Sequence, residues 1–208
     1  KGMRIPIESG GSAEVVGYLG GGGQGEVYRV LYKGGEYALK WYTSKDIIGD
    51  KKFGERLKEN IEKGSPGGGF VWPLHVTKKT KESYGYLMDL FPPGMVPMSD
   101  ILNGYRISGK GDKVGKVPVR FGSMDAKLTA AMRIVFSFRA LQRSGRSFSD
   151  LNDGGFVFDV GTGDVRICDC DNISKDGEGI SIGKAGYMAP ELVRREGRCD
   201  VTTDRHSL

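Results

Sequence analysis

The chain has 208 residues, 38% of them hydrophobic and 27% charged, with 34 glycines and a formal net charge of +5. This is enough apolar sequence to bury a core in one or two compact units, and the balance excludes a disordered or fibrous chain. No run approaches the length of a membrane span and the first residues carry no apolar leader core, so no membrane contact and a cytoplasmic location are expected.

Cys168, Cys170 and Cys199 are odd in number, and Cys168 and Cys170 flank Asp169 on one face of an apparent strand. Such a pair is poorly placed to bridge, and with His75 and His206 as the only histidines a zinc site is thinly supplied. Reduced thiols are expected.

Segments rich in β-branched and aromatic residues predict strands over 15–19, 26–32 and 36–42, with Lys33-Gly34-Gly35 as a turn. Leu19 to Val27 holds Gly20, Gly22 and Gly25 in a G-x-G-x-x-G-x-V pattern, and Lys40 follows at hairpin distance. Glycine leaves backbone N–H groups open to phosphate oxygens, and a lysine adds a point charge to the same atoms; a flexible hairpin turn would read the same way. Residues 50–63 predict a helix, with Phe53, Leu57 and Ile61 on one face and Gly64-Ser-Pro-Gly-Gly-Gly69 ending it. Further strands are expected over 70–76 and 84–90.

Phe91-Pro-Pro-Gly94 is a stiff break and sets a boundary between residues 1–90 and 91–208. A short helix over 98–102 precedes a basic, glycine-rich stretch with Arg106, Lys110, Lys113, Lys116 and Arg120. With few aromatics beside it, that stretch reads as a solvated loop, and nucleic acid is not the expected partner. Residues 125–142 predict the longest helix, with Leu128, Met132, Val135, Phe136 and Leu141 on a broad apolar face. Two short strands over 155–160 and 165–168 follow.

Three later segments then fall in order: Phe148-Ser-Asp150-Leu-Asn152-Asp-Gly-Gly155, Cys168-Asp169-Cys-Asp171-Asn172, and Gly186-Tyr-Met-Ala-Pro-Glu191. With the glycine loop and Lys40, these make the chain resemble a protein kinase from about Gly10 to the last residue. The A-P-E segment is the most specific piece. The Phe70-Val-Trp-Pro-Leu74 and Asp-Cys-Asp-Asn segments are similar to a divergent bacterial branch of Ser/Thr kinase-like proteins. The resemblance implies an α+β, bilobal fold: a five-stranded antiparallel N-lobe with one helix, and a partial, mainly helical C-lobe ending at the start of the helix that anchors the catalytic loop. A chain that stops there leaves the apolar face of the long helix exposed.

The same resemblance implies ATP and Mg²⁺ (or Mn²⁺) as cofactors and a protein hydroxyl as acceptor. Leu19, Gly20, Gly22, Gly25, Val27, Ala38, Met88, Asp89, Phe91 and Val157 would surround the nucleotide. Lys40 would hold its phosphates, paired with Glu55 or Glu59, between which spacing does not choose. Asp150 would accept the substrate proton, and Asp169, with or without Asp171, would bind the metal.

The pattern is also broken. Phe148-Ser149 replaces the family's His-Arg, Asn152 its lysine, Gly155 its metal-binding asparagine and Lys184 its threonine. The paired changes suggest that Lys184 returns positive charge near Asp150. Ser174 and Ser181 are hydroxyls of the segment that the family phosphorylates, or ordinary loop residues. Two readings stand: a Ser/Thr-type protein kinase, or a pseudokinase that binds nucleotide or acts as a scaffold.

Overall fold

A computed structural model describes residues 2–80, 83–109, 114–179, 183–184 and 186–208. The chain divides into two compact units, one of Lys1–Ser65 with Val71–Leu90 and one of Pro66–Phe70 with Phe91–Leu208.

The first unit is a curled antiparallel sheet. Strands β1 (Arg4–Pro6), β2 (Ser12–Gly21), β3 (Gly25–Tyr32) and β4 (Gly35–Tyr42) run in sequence. Helices α1 (Lys45–Gly49) and α2 (Lys51–Lys63) follow, then β5 (Pro73–Val76) and β6 (Gly85–Met88). The strand order is β1-β2-β3-β4-β6-β5, and the chain leaving β1 meets the chain leaving β5. Ile7 bridges Thr77, Glu8 N–H donates to the Val76 carbonyl at 2.9 Å and Lys78 N–H to that of Pro6 at 2.8 Å. The sheet's two edge strands are therefore tied together where they end, which shortens the exposed edge that an open sheet would carry. One face buries Ile5, Ile7, Ala13, Val15, Val30, Tyr32, Leu39 and Leu87; on the other, Tyr42, Tyr84, Tyr86 and Val76 pack with Phe53 and Leu57 of α2. Asp50 caps α2 through the amides of Lys52 and Phe53, and Asn60 takes the third buried place on the helix.

The second unit has β7 (Val96–Pro97), α3 (Met98–Asn103), β8 (Tyr105–Ser108), β9 (Gly115–Pro118) and α4 (Met124–Arg143). These are followed by β10 (Arg146–Ser147), β11 (Phe156–Phe158), β12 (Val165–Ile167), β13 (Ser174–Lys175), α5 (Pro190–Val193) and α6 (Val201–Ser207). Ser123 caps α4 by accepting from Ala126 N–H. The buried face of α4 is Ala126, Ala130, Phe138 and Leu141, whereas Leu128, Met132, Val135 and Phe136 are all more than half exposed. The exposure of Leu128, Met132, Val135 and Phe136 agrees with the exposed apolar face expected of this helix, although Leu141 of that set is buried.

These observations correct the expected fold class. The sheet has six strands rather than five, because Arg4–Pro6 adds an edge strand too short to show an alternating pattern, and α1 accompanies α2. The second unit is not mainly helical: among the described residues only α4 exceeds seven residues, and seven short strands form three small sheets. The basic stretch is part of this difference, since Tyr105–Ser108 and Gly115–Pro118 pair as a hairpin, with Lys116 over the Tyr105 ring. Its Lys110 and Lys113 lie outside the described residues. Among the described residues no helix is long and apolar enough to cross a membrane.

Candidate functional site

The glycine loop joins β2 to β3. Gly25 is fixed by packing, since a Cβ there would stand 2.2 Å from the Trp41 carbonyl oxygen. Gly20, Gly22 and Gly23 differ: a Cβ on each would meet nothing within 4 Å, and none has a positive φ. Neither packing nor backbone geometry calls for glycine at these three positions. What glycine does provide there is bare backbone, open to close approach by a ligand.

Register places the other nucleotide candidates of this unit on one face of the sheet. Val27 opposes Lys40, and Ala38 opposes Met88 on the next strand, so Val27, Ala38, Lys40 and Met88 share a face. Lys40 is buried, and its ammonium donates to Gln24 Oε1 at 2.9 Å and lies 5.9 Å from the Tyr42 ring centroid. The structure thus joins the lysine to the loop itself. Glu55 and Glu59 are both on the exposed side of α2, and Glu59 accepts from Lys63 at 2.6 Å. Leu19, Asp89 and Phe91 are exposed, whereas Val157 is buried in β11 opposite Arg166 and Pro97.

In the second unit Asp150 is held by asparagine side chains. Phe148 is fully buried and Ser149 adopts φ 71°, a left-handed conformation that costs a non-glycine residue energy and swings the chain into Asp150. The carboxylate of Asp150 accepts from Asn152 Nδ2 at 3.3 Å and from Asn172 Nδ2 at 3.2 Å. Asn152 also accepts from Gly154 N–H at 2.9 Å, which starts the short 3-10 turn of Asp153–Gly155. Beneath this turn the buried Asp204 accepts from Phe148 N–H at 2.7 Å and Ser149 N–H at 3.2 Å. Burial pushes its carboxyl up to about 6, against the pull of those two amides. Burial likewise raises the Cys199 thiol, and none of the three cysteines is in a disulfide.

Lys184 follows Gly183, on which a Cβ would lie 3.9 Å from Asp150 Oδ1. Its ammonium donates to Asp153 Oδ1 at 2.7 Å, and that hydrogen bond raises its pKa. Ser174 is buried in β13 opposite Ser147, so its hydroxyl is closed to a modifying enzyme in this fold. Ser181 lies outside the described residues.

Asp169 has φ 57° and ψ 35°, heads a 3-10 turn over Cys170–Asn172 and retains partial exposure, while Asp171 is fully buried. Among the described residues no group of three or more His, Cys, Asp or Glu side chains is placed to hold a metal. A magnesium ion takes few protein ligands and completes its shell with phosphate oxygens and water, so a partly exposed carboxylate such as Asp169 fits one. Gly155 has no side-chain oxygen to add.

Sequence reasoning passes over Gln24 and Asn172. The one available signal for Gln24 is that it is the single polar side chain inside the glycine run. Asn172 stands in the Asp-Cys-Asp-Asn segment, but its contact with Asp150 depends on a residue 22 positions away and leaves no local signal. Compared with protein-family models and with curated proteins, the chain matches none. The likeness to protein kinases therefore rests on the motifs and their order.

Proposed function

We propose that the chain is an ATP-dependent phosphotransferase that moves the γ-phosphoryl group to a hydroxyl of a protein, in the manner of a Ser/Thr kinase. The observation that carries this reading is the loop of Gly20, Gly22 and Gly23, whose bare backbone serves no packing need and which is tied through Gln24 to the buried Lys40 ammonium. Backbone N–H groups and a lysine charge form a cradle for phosphates. Val27, Ala38 and Met88 add an apolar strip suited to a base.

Asp150 is the proton acceptor. The acceptor hydroxyl oxygen bonds to the γ-phosphorus as the bond to the ADP oxygen breaks, and the hydroxyl proton passes to the Asp150 carboxylate. Asp169 supplies the carboxylate for magnesium, which would neutralise phosphate charge when bound.

A second reading, nucleotide binding without transfer, is favoured by one observation: Gly155 leaves the catalytic turn without a second metal-binding side chain. The experiment that separates them incubates the chain with γ-labelled ATP and Mg²⁺ or Mn²⁺, beside Asp150→Ala and Lys40→Ala. Label on protein that disappears in both variants supports the transferase. Thermal stabilisation by ATP without label transfer supports the binding module, and neither effect would sink both readings.

A further inference from the structure

We infer that Asn172 is a positioning residue that fixes the carboxylate of Asp150; the inference deepens the phosphotransferase reading and rests on it for its catalytic meaning. The contact is tertiary. Asn152 reaches Oδ1 of Asp150 from two residues away in the same turn, whereas Asn172 reaches Oδ2 at 3.2 Å from a separate segment. The two oxygens are thus held from two directions, one by the local turn and one from outside it.

Three features deliver Asn172 to this place. In the β10–β13 ladder Arg146 opposes Lys175 and Ser147 opposes Ser174, so the segment ending at Ser174 is brought alongside the one that runs on from Ser147 to Asp150. The left-handed backbone at Asp169 then folds 170–172 into a tight turn, closed by Asn172 N–H on the Asp169 carbonyl and Ile173 N–H on that of Cys170. Cys170 and Ile173 are both fully buried and anchor the turn on either side of the asparagine. Asp204 meanwhile holds the opposite strand by the amides of Phe148 and Ser149.

The chemistry suits a carboxylate that must take a proton. An ionised carboxylate only accepts hydrogen bonds, so the Asn172 side chain is oriented with its NH₂ group toward Asp150. Neutral amides, one from Asn152 and one from Asn172, orient the group without cancelling its charge.

Two measurements on the full chain test this. By NMR, the Asn172 side-chain amide protons should move upfield in Asp150→Ala, or in Asp150→Asn if the alanine variant does not fold; unmoved resonances overturn the contact whatever the enzyme does. In the labelled-ATP assay, Asn172→Ala should lower kcat roughly tenfold or more, with KM for ATP within about twofold of the parent. The near-isosteric Asn172→Asp keeps the shape, loses the donor and adds a like charge, so it should fall at least as far as alanine. Full activity in Asn172→Asp overturns the positioning role. If the parent binds ATP and transfers nothing, the phosphotransferase reading fails, and the amide resonances still decide whether Asn172 holds Asp150.

Discussion

The carboxylate of Asp204 accepts the backbone N–H of Phe148 at 2.7 Å, and both residues are buried. A helix at the end of the chain thus holds the strand that leads into Asp150. The cost of burying this charge appears as a carboxyl that titrates at about 6 instead of 3.8. Between those two values the folded chain binds the proton and the unfolded chain does not, so this group's contribution to stability rises as pH falls from about 6 to about 4. The span corresponds to about 2–3 kcal/mol. Urea unfolding of the parent and of Asp204→Asn across pH 4–7 should show the parent gaining on the variant toward pH 4. Parallel pH profiles would show that the carboxyl is not raised.

The glycines of the loop should separate by role. Gly25→Ala drives a Cβ into the Trp41 carbonyl and should cost about 2 kcal/mol or more in urea unfolding. Gly22→Ala and Gly23→Ala have open space, so stability should stay within about 0.5 kcal/mol of the parent while ATP affinity, read by calorimetry, falls. Unchanged ATP affinity in both would remove the support for a phosphate cradle.

Lys184 and Asp153 should act as a unit. The lysine is mostly exposed and the aspartate is not, so the pair is expected to order the segment around Lys184 rather than to support global stability. Lys184→Ala and Asp153→Ala should lower phosphoryl transfer by similar factors, with the double variant no worse than either single one. Additive losses would mean that Lys184 acts independently of Asp153.

Closure of the first sheet depends on its first strand. Ile7 is fully buried and bridges Thr77, so Ile7→Ala should cost about 2–5 kcal/mol by chemical denaturation. A loss below about 1 kcal/mol would show that closure contributes little.

Long periodic segments were legible in the sequence. The helix ending at Lys63 and the long helix beginning near Asp125 have clear apolar spacing and capping residues, and the three hairpin strands have clear turns. Less legible was that Ala126, Ala130 and Phe138 join Leu141 on the buried side of the long helix. Ala126 and Ala130 give a weaker apolar signal than Met132 and Phe136. Strands of two or three residues, such as those at Arg4–Pro6 and Ser174–Lys175, are too short for periodicity to register.

By itself the sequence determined which chemical groups the chain carries and in what order: a glycine loop, a lysine in a strand, and aspartates at turns. Spacing along a chain fixes local geometry because turns and strands are set by near neighbours. Only the tertiary structure decided the pairings, Lys40 with Gln24, Lys184 with Asp153 and Asp150 with Asn172. Such contacts come from ladder register and from buried anchors such as Ile173 and Asp204, which join segments that local sequence does not relate.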